Sequence, residues 1–155
     1  MDTQEVLIRP FELADIPPLI DLERSVFGSG TYSPYIFRQL YDLFPEMLWV
    51  AECGGRIVGH VCGALAQDRQ TGWILNFAVQ AHYRRQGIGR LLLERCIDQL
   101  TQAGAQIIKL TAEPENGPTL RLCEKLGFEQ TEVVENYYGE GNERLILAQH
   151  IGQGG

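Results

Sequence analysis

The sequence lacks any run of about eighteen apolar residues, the length that a helix needs to cross a bilayer. Residues 1–5 include acidic side chains and no basic one, unlike the positively charged start of a secretory leader. We therefore expect a cytoplasmic protein without a membrane-spanning segment.

Basic residues are also scarce in this chain. It carries 13 Lys and Arg against 20 Asp and Glu, which gives a formal net charge of −7. A nucleic-acid-binding protein usually has a basic excess, so this class is disfavoured. An acidic surface suits a cationic acceptor such as an amine or a basic peptide, although it can also serve only to keep a protein in solution.

The cysteines form no C-x-x-C pair, and they lie far apart at Cys53, Cys62, Cys96 and Cys123. Many zinc sites draw on such pairs, so we expect no metal site. The thiols are expected to be buried and reduced, as in proteins of reducing compartments.

The composition indicates a globular protein, with 155 residues, 45% hydrophobic and 21% charged. We expect one domain over residues 1–151 and a disordered tail over residues 152–155. Apolar periodicity and turn residues predict the order β-α-α-β-β-β-α-β-α-β-β. The predicted strands are residues 6–9, 47–53, 56–65, 73–79, 106–112, 128–138 and 143–150. The predicted helices are residues 15–27, 34–43, 87–103 and 119–126. This order favours an α+β fold with a mixed sheet and helices on both faces.

The most informative stretch is residues 74–93, which read ILNFAVQAHYRRQGIGRLLL. An apolar strand leads through a short polar link into a glycine-containing turn and then a helix. Backbone N–H groups at a helix start have no intrahelical partner and favour a bound anion. Gly87 and Gly89 let a ligand approach the backbone, and the neighbouring arginines add positive charge. The pattern predicts a phosphate or pyrophosphate site, with an ordinary loop before a helix as the alternative.

Two landmarks relate the chain to a known family. Arg84-x-x-Gly87-x-Gly89 follows an apolar strand, and Leu126-Gly127-Phe128 follows some forty residues later. In this order the chain resembles the GNAT superfamily of acyl-CoA-dependent N-acyltransferases, over residues 6–151 and most closely over 74–128. The third glycine of a dinucleotide fold and the Gly-Lys-Ser/Thr of a P-loop are both absent. The resemblance implies an α/β/α sandwich with a splayed central sheet of about seven strands and about four helices, and acetyl-CoA as cosubstrate.

The resemblance also implies which residues contact acetyl-CoA. Backbone groups of Phe77, Ala78 and Val79 are expected to hold the pantetheine arm and the thioester carbonyl. Asn116 matches a residue that contacts the CoA arm in many relatives, but it can equally cap the helix that follows. The residues expected to grip the pyrophosphate are Arg84, Arg85, Gln86, Gly87, Ile88, Gly89 and Arg90.

Several residues are candidates for the catalytic acid and base. Many relatives carry a tyrosine acid where this chain has Cys123, which can act as the acid or be a small core residue. Otherwise CoA leaves as a thiolate, or Tyr138 supplies the proton. The glutamate base of N-terminal acetyltransferases matches Thr111 here. Glu113, two residues on, is our preferred base through a water, and a solvated surface carboxylate is the alternative.

The acceptor side has its own candidates. Asn136-Tyr137-Tyr138 before a turn resembles the substrate-side hairpin of the ribosomal-protein-alanine N-acetyltransferase branch. Tyr32, Phe37 and Tyr41 belong to the region that covers the acceptor in this family, although ordinary packing is the simpler interpretation at each position. His60 lies within a predicted strand, where a structural role is more common than a role as a base.

The sequence therefore predicts an acetyl-CoA-dependent N-acetyltransferase that acts on a primary amine, as a monomer or homodimer. A protein N-terminal α-amine is expected ahead of a lysine side chain or a small-molecule amine. The alternative is a non-catalytic acyl-CoA-binding or sensor module, since Cys123 and Thr111 stand where catalytic groups often stand. A phosphate-ligand binder that shares only the turn is a third hypothesis.

Overall fold

Strands and helices alternate through residues 5–28 and 32–151, which are the part of the chain that the computed structural model describes. The strands are β1 Val6–Pro10, β2 Leu48–Cys53, β3 Arg56–Leu65, β4 Thr71–Val79, β5 Ile107–Ala112, β6 Glu129–Val134 and β7 Arg144–His150. The helices are α1 Ile16–Phe27, α2 Pro34–Leu43, α3 Ile88–Gln102 and α4 Gly117–Lys125. The predicted element order is confirmed, and the predicted tail, residues 152–155, lies outside the described residues.

The strands form one seven-stranded sheet in the order β1-β2-β3-β4-β5-β7-β6. Neighbouring strands are antiparallel except for β4 and β5, which are parallel. This confirms the α+β class and the mixed sheet.

Helices cover both faces of the sheet. Side chains alternate along β3, so neighbouring residues of this strand contact helices on opposite faces. A Cβ added at Gly63 would lie 2.6 Å from the Sγ of Cys96, so α3 packs directly on the β3 backbone. His60 points to the opposite face, where its ring contacts Glu23 of α1. The pairing of β3 with β4 also shifts between Cys62 and Gly63. The glycines of β3 thus mark both a close neighbour and a bulge, as the sequence indicated.

One predicted strand is too long. Strand β6 ends at Val134 instead of residue 138. Asn136 adopts a positive φ of 56°, which an extended strand does not allow. Its side chain Oδ1 accepts a hydrogen bond from the Gly141 N–H at 3.1 Å, and the Tyr137 N–H donates to the Asn142 carbonyl at 2.8 Å. Residues 135–143 are therefore an ordered loop that carries both tyrosines, and we call it the β6–β7 loop.

Candidate active site

The site is organised by the separation of β4 from β5. The two strands pair only between residues 71–74 and 107–110. Beyond these residues β4 continues to Val79 beside β3, and β5 continues to Ala112 beside β7. A gap therefore opens between the two strands, and the facing edge of each has no strand partner. We call this space the β4–β5 gap.

The backbone of β4 directs polar groups into the β4–β5 gap. The Gln80 N–H donates to the Val58 carbonyl at 2.8 Å, which places the Gly59–Val79 pair between hydrogen-bonded positions. In such a pair the N–H and C=O groups of both residues point away from the partner strand. Val79, and Phe77 two residues before it, therefore present these groups to the gap.

Two further contacts agree with this orientation. The Arg84 Nε donates to the Val79 carbonyl at 3.0 Å, which requires that carbonyl to point away from β3. Ala78 pairs with His60, so its backbone polar groups point toward β3 instead. Of the three β4 residues predicted to contact acetyl-CoA, two thus face the gap with their backbone and Ala78 does not.

The predicted phosphate turn lies at the end of the same gap. Gly87 is the N-cap of α3 with a φ of 82°, a conformation that favours glycine, and a Cβ there would meet nothing within 4 Å. The Leu91 N–H donates to the Gly87 carbonyl at 3.1 Å. The N–H groups of the residues between them precede this first helical bond, and they have no intrahelical acceptor. The turn therefore has the geometry of an anion site.

Asn116 is the N-cap of α4. Its side-chain oxygen accepts a hydrogen bond from the Thr119 N–H at 3.3 Å. The capping interpretation of Asn116 is therefore correct, and α4 begins at Gly117, earlier than predicted, because of this cap. A contact between Asn116 and the CoA arm stays a prediction.

An aromatic pocket of about 280 Å³ lies where β4 and β5 begin to separate. The Tyr32 hydroxyl donates to the Leu75 carbonyl at 3.3 Å, and burial raises the pKa of Tyr32 to about 12. The hydroxyls of Tyr138 and Thr111 lie 3.3 Å apart and share a hydrogen bond. The residues that line this aromatic pocket are Tyr32, Trp73, Ile74, Leu75, Thr111, Tyr137 and Tyr138.

Tyr32 thus reaches the pocket, whereas the other two aromatic candidates are packing residues. Phe37 is fully buried and meets the His60 ring edge-on at 5.6 Å. Tyr41 packs on Phe11, with ring centroids 5.7 Å apart. Only one of the three predicted aromatic residues therefore lines the space.

Two cations lie close to aromatic rings that line the pocket, and neither was predicted from the sequence. The Arg144 guanidinium lies 5.1 Å from the centre of the Tyr138 ring. The Lys109 ammonium lies 5.8 Å from the centre of the Trp73 ring. Such contacts stabilise cations and also fix the ring orientations.

Glu113, the predicted base, lies at the edge of this arrangement. Its carboxylate is 3.6 Å from an Arg144 nitrogen, and its side chain is 61% exposed. It does not line the aromatic pocket. Its position is that of a solvated surface carboxylate, and its role as a base stays a prediction that this position does not favour.

Cys123 is a residue of α4, and its side chain belongs to the hydrophobic core. Its side chain is fully buried, and burial raises its pKa to about 12. A thiol that holds its proton this firmly is a poor donor to a departing thiolate, whose own pKa is much lower. Its role as an acid stays a prediction, and its burial supports the core interpretation.

A buried polar cluster connects α1 with β3 and β4. The Glu23 carboxylate, which is 0% exposed, lies 3.0 Å from the His60 Nε2 and accepts a hydrogen bond from the Asn76 Nδ2 at 2.8 Å. Burial on its own would raise the pKa of Glu23, but the hydrogen bond and charge of His60, with the Asn76 hydrogen bond, outweigh it and lower that pKa. His60 is thus a structural partner, as expected. A charge on the buried face of α1 was the sequence signal for this cluster.

Metal-binding clusters and membrane-spanning helices are both absent from the described residues. Residues 5–28 and 32–151 contain no group of three or more His, Cys, Asp or Glu side chains placed to hold a metal ion. Within the same ranges, no helix combines the length and apolar character needed to cross a membrane.

A gap edged by strand backbone, an anion-binding helix start and an adjacent pocket are the features of an acyltransferase fold. The family model of the GNAT acetyltransferases matches residues 16–128, which is well over half of the chain. The chain therefore belongs to the GNAT acetyltransferase family. This confirms the resemblance found in the sequence.

Relatives with named activities extend this result. The chain is 26% identical to an N-alpha-acetyltransferase of Sulfurisphaera tokodaii, over 94% of this chain and 93% of that protein. It is 33% identical to N-alpha-acetyltransferase 30 of Schizosaccharomyces pombe, over 87% of this chain and 91% of that protein. The crystal structure of the Escherichia coli ribosomal-protein-S18-alanine N-acetyltransferase superposes with a TM-score of 0.81, 25% identity and 97% of each chain covered. Other solved structures of this fold contain coenzyme A or acetyl-CoA.

Proposed function

We propose that this protein transfers the acetyl group of acetyl-CoA directly to a primary amine, and that a protein N-terminal α-amine is the acceptor. The observation that carries this proposal is the meeting of the β4–β5 gap with the aromatic pocket at residues 74 and 75. A donor held along the gap and an acceptor held in the pocket would meet at this point. The relatives named as N-alpha-acetyltransferases support the choice of acceptor.

The chain has groups that fit acetyl-CoA. We propose that the first N–H groups of α3, with Arg84, Arg85 and Arg90, bind the pyrophosphate. The gap-facing backbone groups of Phe77 and Val79 would pair with the amide groups of the pantetheine arm. When bound, acetyl-CoA supplies an activated acetyl group as a thioester.

The acyl-transfer step needs groups on both sides of the acetyl carbonyl. The Phe77 N–H, the nearer to residues 74 and 75 of the two gap-facing donors, is our candidate for the donor that stabilises the negative charge on that oxygen. Tyr138 is our candidate for the proton donor to the departing sulfur, because its hydroxyl lines the pocket and Cys123 is buried. Thr111 positions this hydroxyl through their shared hydrogen bond.

We test the proposal by measuring CoA release from acetyl-CoA with three acceptor classes. These are peptides with a free N-terminus, lysine peptides blocked at the N-terminus, and small amines such as polyamines. Preference for the free N-terminus is expected. Tyr138→Phe should lower kcat by about 10²-fold or more, as loss of a general acid does, while Tyr137→Phe serves as a matched control for the loss of a hydroxyl.

The competing function is an acyl-CoA sensor. It is favoured by one observation, that neither Cys123 nor Glu113 lines the pocket. Binding of acetyl-CoA without turnover of any amine would support the sensor and contradict the transferase. Failure to bind acetyl-CoA would contradict both.

We further propose a cytoplasmic location and a proteinaceous amine as the partner. All four cysteines lie within the described residues, where they are buried and form no disulfide bond, which fits a reducing compartment.

A further inference from the structure

The charge around the aromatic pocket is unusual for a site that receives an amine. Amines are mostly protonated at neutral pH, and a site for an ammonium ion normally offers a carboxylate. No carboxylate, amine or imidazole is present among the described side chains that line the pocket. Ser29, Gly30 and Thr31, which precede Tyr32 outside the described residues, carry none of these groups either.

Among the described residues, carboxylates are present on the elements around the pocket, but none of them lines it, and those of the β6–β7 loop, Glu135, Glu140 and Glu143, are exposed. Glu113 is mostly exposed and pairs with Arg144 at the rim. Glu23 is fully buried behind the pocket, and its oxygens interact with His60, Asn76 and the backbone of Tyr32. None of these carboxylates lines the space that an acceptor would enter.

Two positive charges lie close to rings that line the pocket. The Arg144 guanidinium is 5.1 Å from the centre of the Tyr138 ring, and the Lys109 ammonium is 5.8 Å from the centre of the Trp73 ring. The other titratable groups that face the space are the phenols of Tyr32, Tyr137 and Tyr138. Burial raises the pKa of Tyr32 to about 12 and also raises that of Tyr137. The Trp73 and Tyr138 rings each already have a cation in contact, and these positive charges disfavour an ammonium ion relative to a neutral amine.

We propose that the aromatic pocket binds the uncharged amine in preference to the ammonium ion, and thereby selects N-terminal α-amines over lysine side chains. This inference rests on the proposed acetyl transfer. At pH 7.5 about a third of an α-amine, but only about 0.1% of a lysine side chain, is uncharged. The difference in free base alone gives a preference on the order of two hundred-fold.

The bonds and protons of the acetyl transfer balance without an ionised base on the protein. The nitrogen lone pair forms the new N–C bond while the C–S bond breaks, and the bonding pair leaves with sulfur. One proton is lost from the attacking nitrogen and one is gained by sulfur. Tyr138 can hand over its proton on one side and be reprotonated from the other through its hydrogen-bond partners.

The test compares kcat/KM against pH for two peptides that differ only in the basicity of the N-terminal amine. One begins with alanine and the other with a fluorinated alanine. The rate constant should rise tenfold per pH unit below the pKa of each amine and level above it, so the inflection follows the peptide. One inflection shared by both peptides would identify a base on the protein and overturn the proposal. Absence of acetylation at every pH would instead contradict the proposed function.

Charge variants provide the second arm. Lys109→Gln and Arg144→Gln should each raise the inflection of the kcat profile by about half a pH unit, since a bound ammonium is then less disfavoured. Arg56→Gln removes a similar charge from the β2–β3 hairpin and should leave that inflection in place. Unmoved inflections in Lys109→Gln and Arg144→Gln would remove the cations from the account.

The Glu113→Gln variant distinguishes preferential binding of the uncharged amine from general-base catalysis by Glu113. The carboxylate partly neutralises Arg144, so its loss should lower the kcat inflection further. If Glu113 is the base, the same substitution would remove most of the rate at every pH.

Discussion

Replacing Glu23 by glutamine removes one charge from the buried cluster and keeps the size of the side chain. Glutamine can still accept from Asn76, but it now turns an amide nitrogen or a neutral oxygen toward the His60 Nε2. Hydrogen bonds to charged groups contribute about 1.5–3 kcal/mol each, and one of the two is weakened while the other loses its charge. We expect the free energy of unfolding to fall by about 2 kcal/mol near neutral pH.

The pH dependence of this loss gives a second, independent check. The pKa of Glu23 is lower in the folded protein than the ordinary value of about 4.3. A lowered folded pKa contributes stability that is fully present above the unfolded pKa and is lost as the pH falls through the folded pKa. The difference between wild type and Glu23→Gln should therefore be constant from pH 7 to about pH 5 and shrink below about pH 4.

Urea denaturation followed by circular dichroism measures the free energy of unfolding at each pH, and thermal denaturation measures the melting temperature. Near neutral pH the melting temperature should fall by about 4–8 °C, as expected for about 2 kcal/mol in a domain of this size. Glu94→Gln breaks an exposed pair with Arg90 at 3.7 Å and should cost less than about 0.5 kcal/mol. The stabilising role of the Glu23 charge would be contradicted if Glu23→Gln lowered the free energy of unfolding no more than Glu94→Gln does. It would also be contradicted if this decrease grew as the pH falls toward 4.

Three further predictions follow from burial and backbone geometry. Gly63→Ala should lower the free energy of unfolding by about 1–3 kcal/mol, because the new Cβ would lie 2.6 Å from the Cys96 Sγ. Adding Cys96→Ala to this variant should restore part of the loss. If the effects of the two substitutions on the free energy of unfolding simply add in urea denaturation, this contact is contradicted. Gly87→Ala should cost about 1–2 kcal/mol through its φ of 82° and weaken CoA affinity in calorimetry, and unchanged affinity would argue against the turn as the phosphate site. The Cys123 thiol, buried and with a pKa of about 12, should resist alkylation until the protein unfolds, and rapid labelling of the native protein in mass spectrometry would show that it is accessible.

The element order could be predicted because each element carries its own local signal. The positive-φ pair Gly54 and Gly55 marks the β2–β3 hairpin, and Gly87 marks the start of α3. The end of β6 was missed because apolar and aromatic residues continue to Tyr138. Asn136 ends the strand through a backbone conformation and through bonds to residues farther along the loop, which no periodicity reveals.

The candidate site was predictable where it is built from consecutive residues and not where distant ones meet. The phosphate turn is one continuous motif. The cations on the pocket walls are not, because Lys109 and Trp73 come together only through the pairing of β5 with β4. Likewise, Arg144 meets Tyr138 only through the fold of the β6–β7 loop. The alternation of β5 predicts that Glu113 shares the face of Thr111, but the strand ends at Ala112 and the Glu113 carboxylate pairs with Arg144.

The most direct test of acetyl transfer to an α-amine uses one peptide with a free N-terminus and one internal lysine. The protein is incubated with this peptide and acetyl-CoA near pH 7.5, and tandem mass spectrometry locates the acetyl group. We expect one acetyl group on the α-amine and none on the lysine. Acetylation of the lysine alone, or no transfer by protein that binds acetyl-CoA, would contradict it.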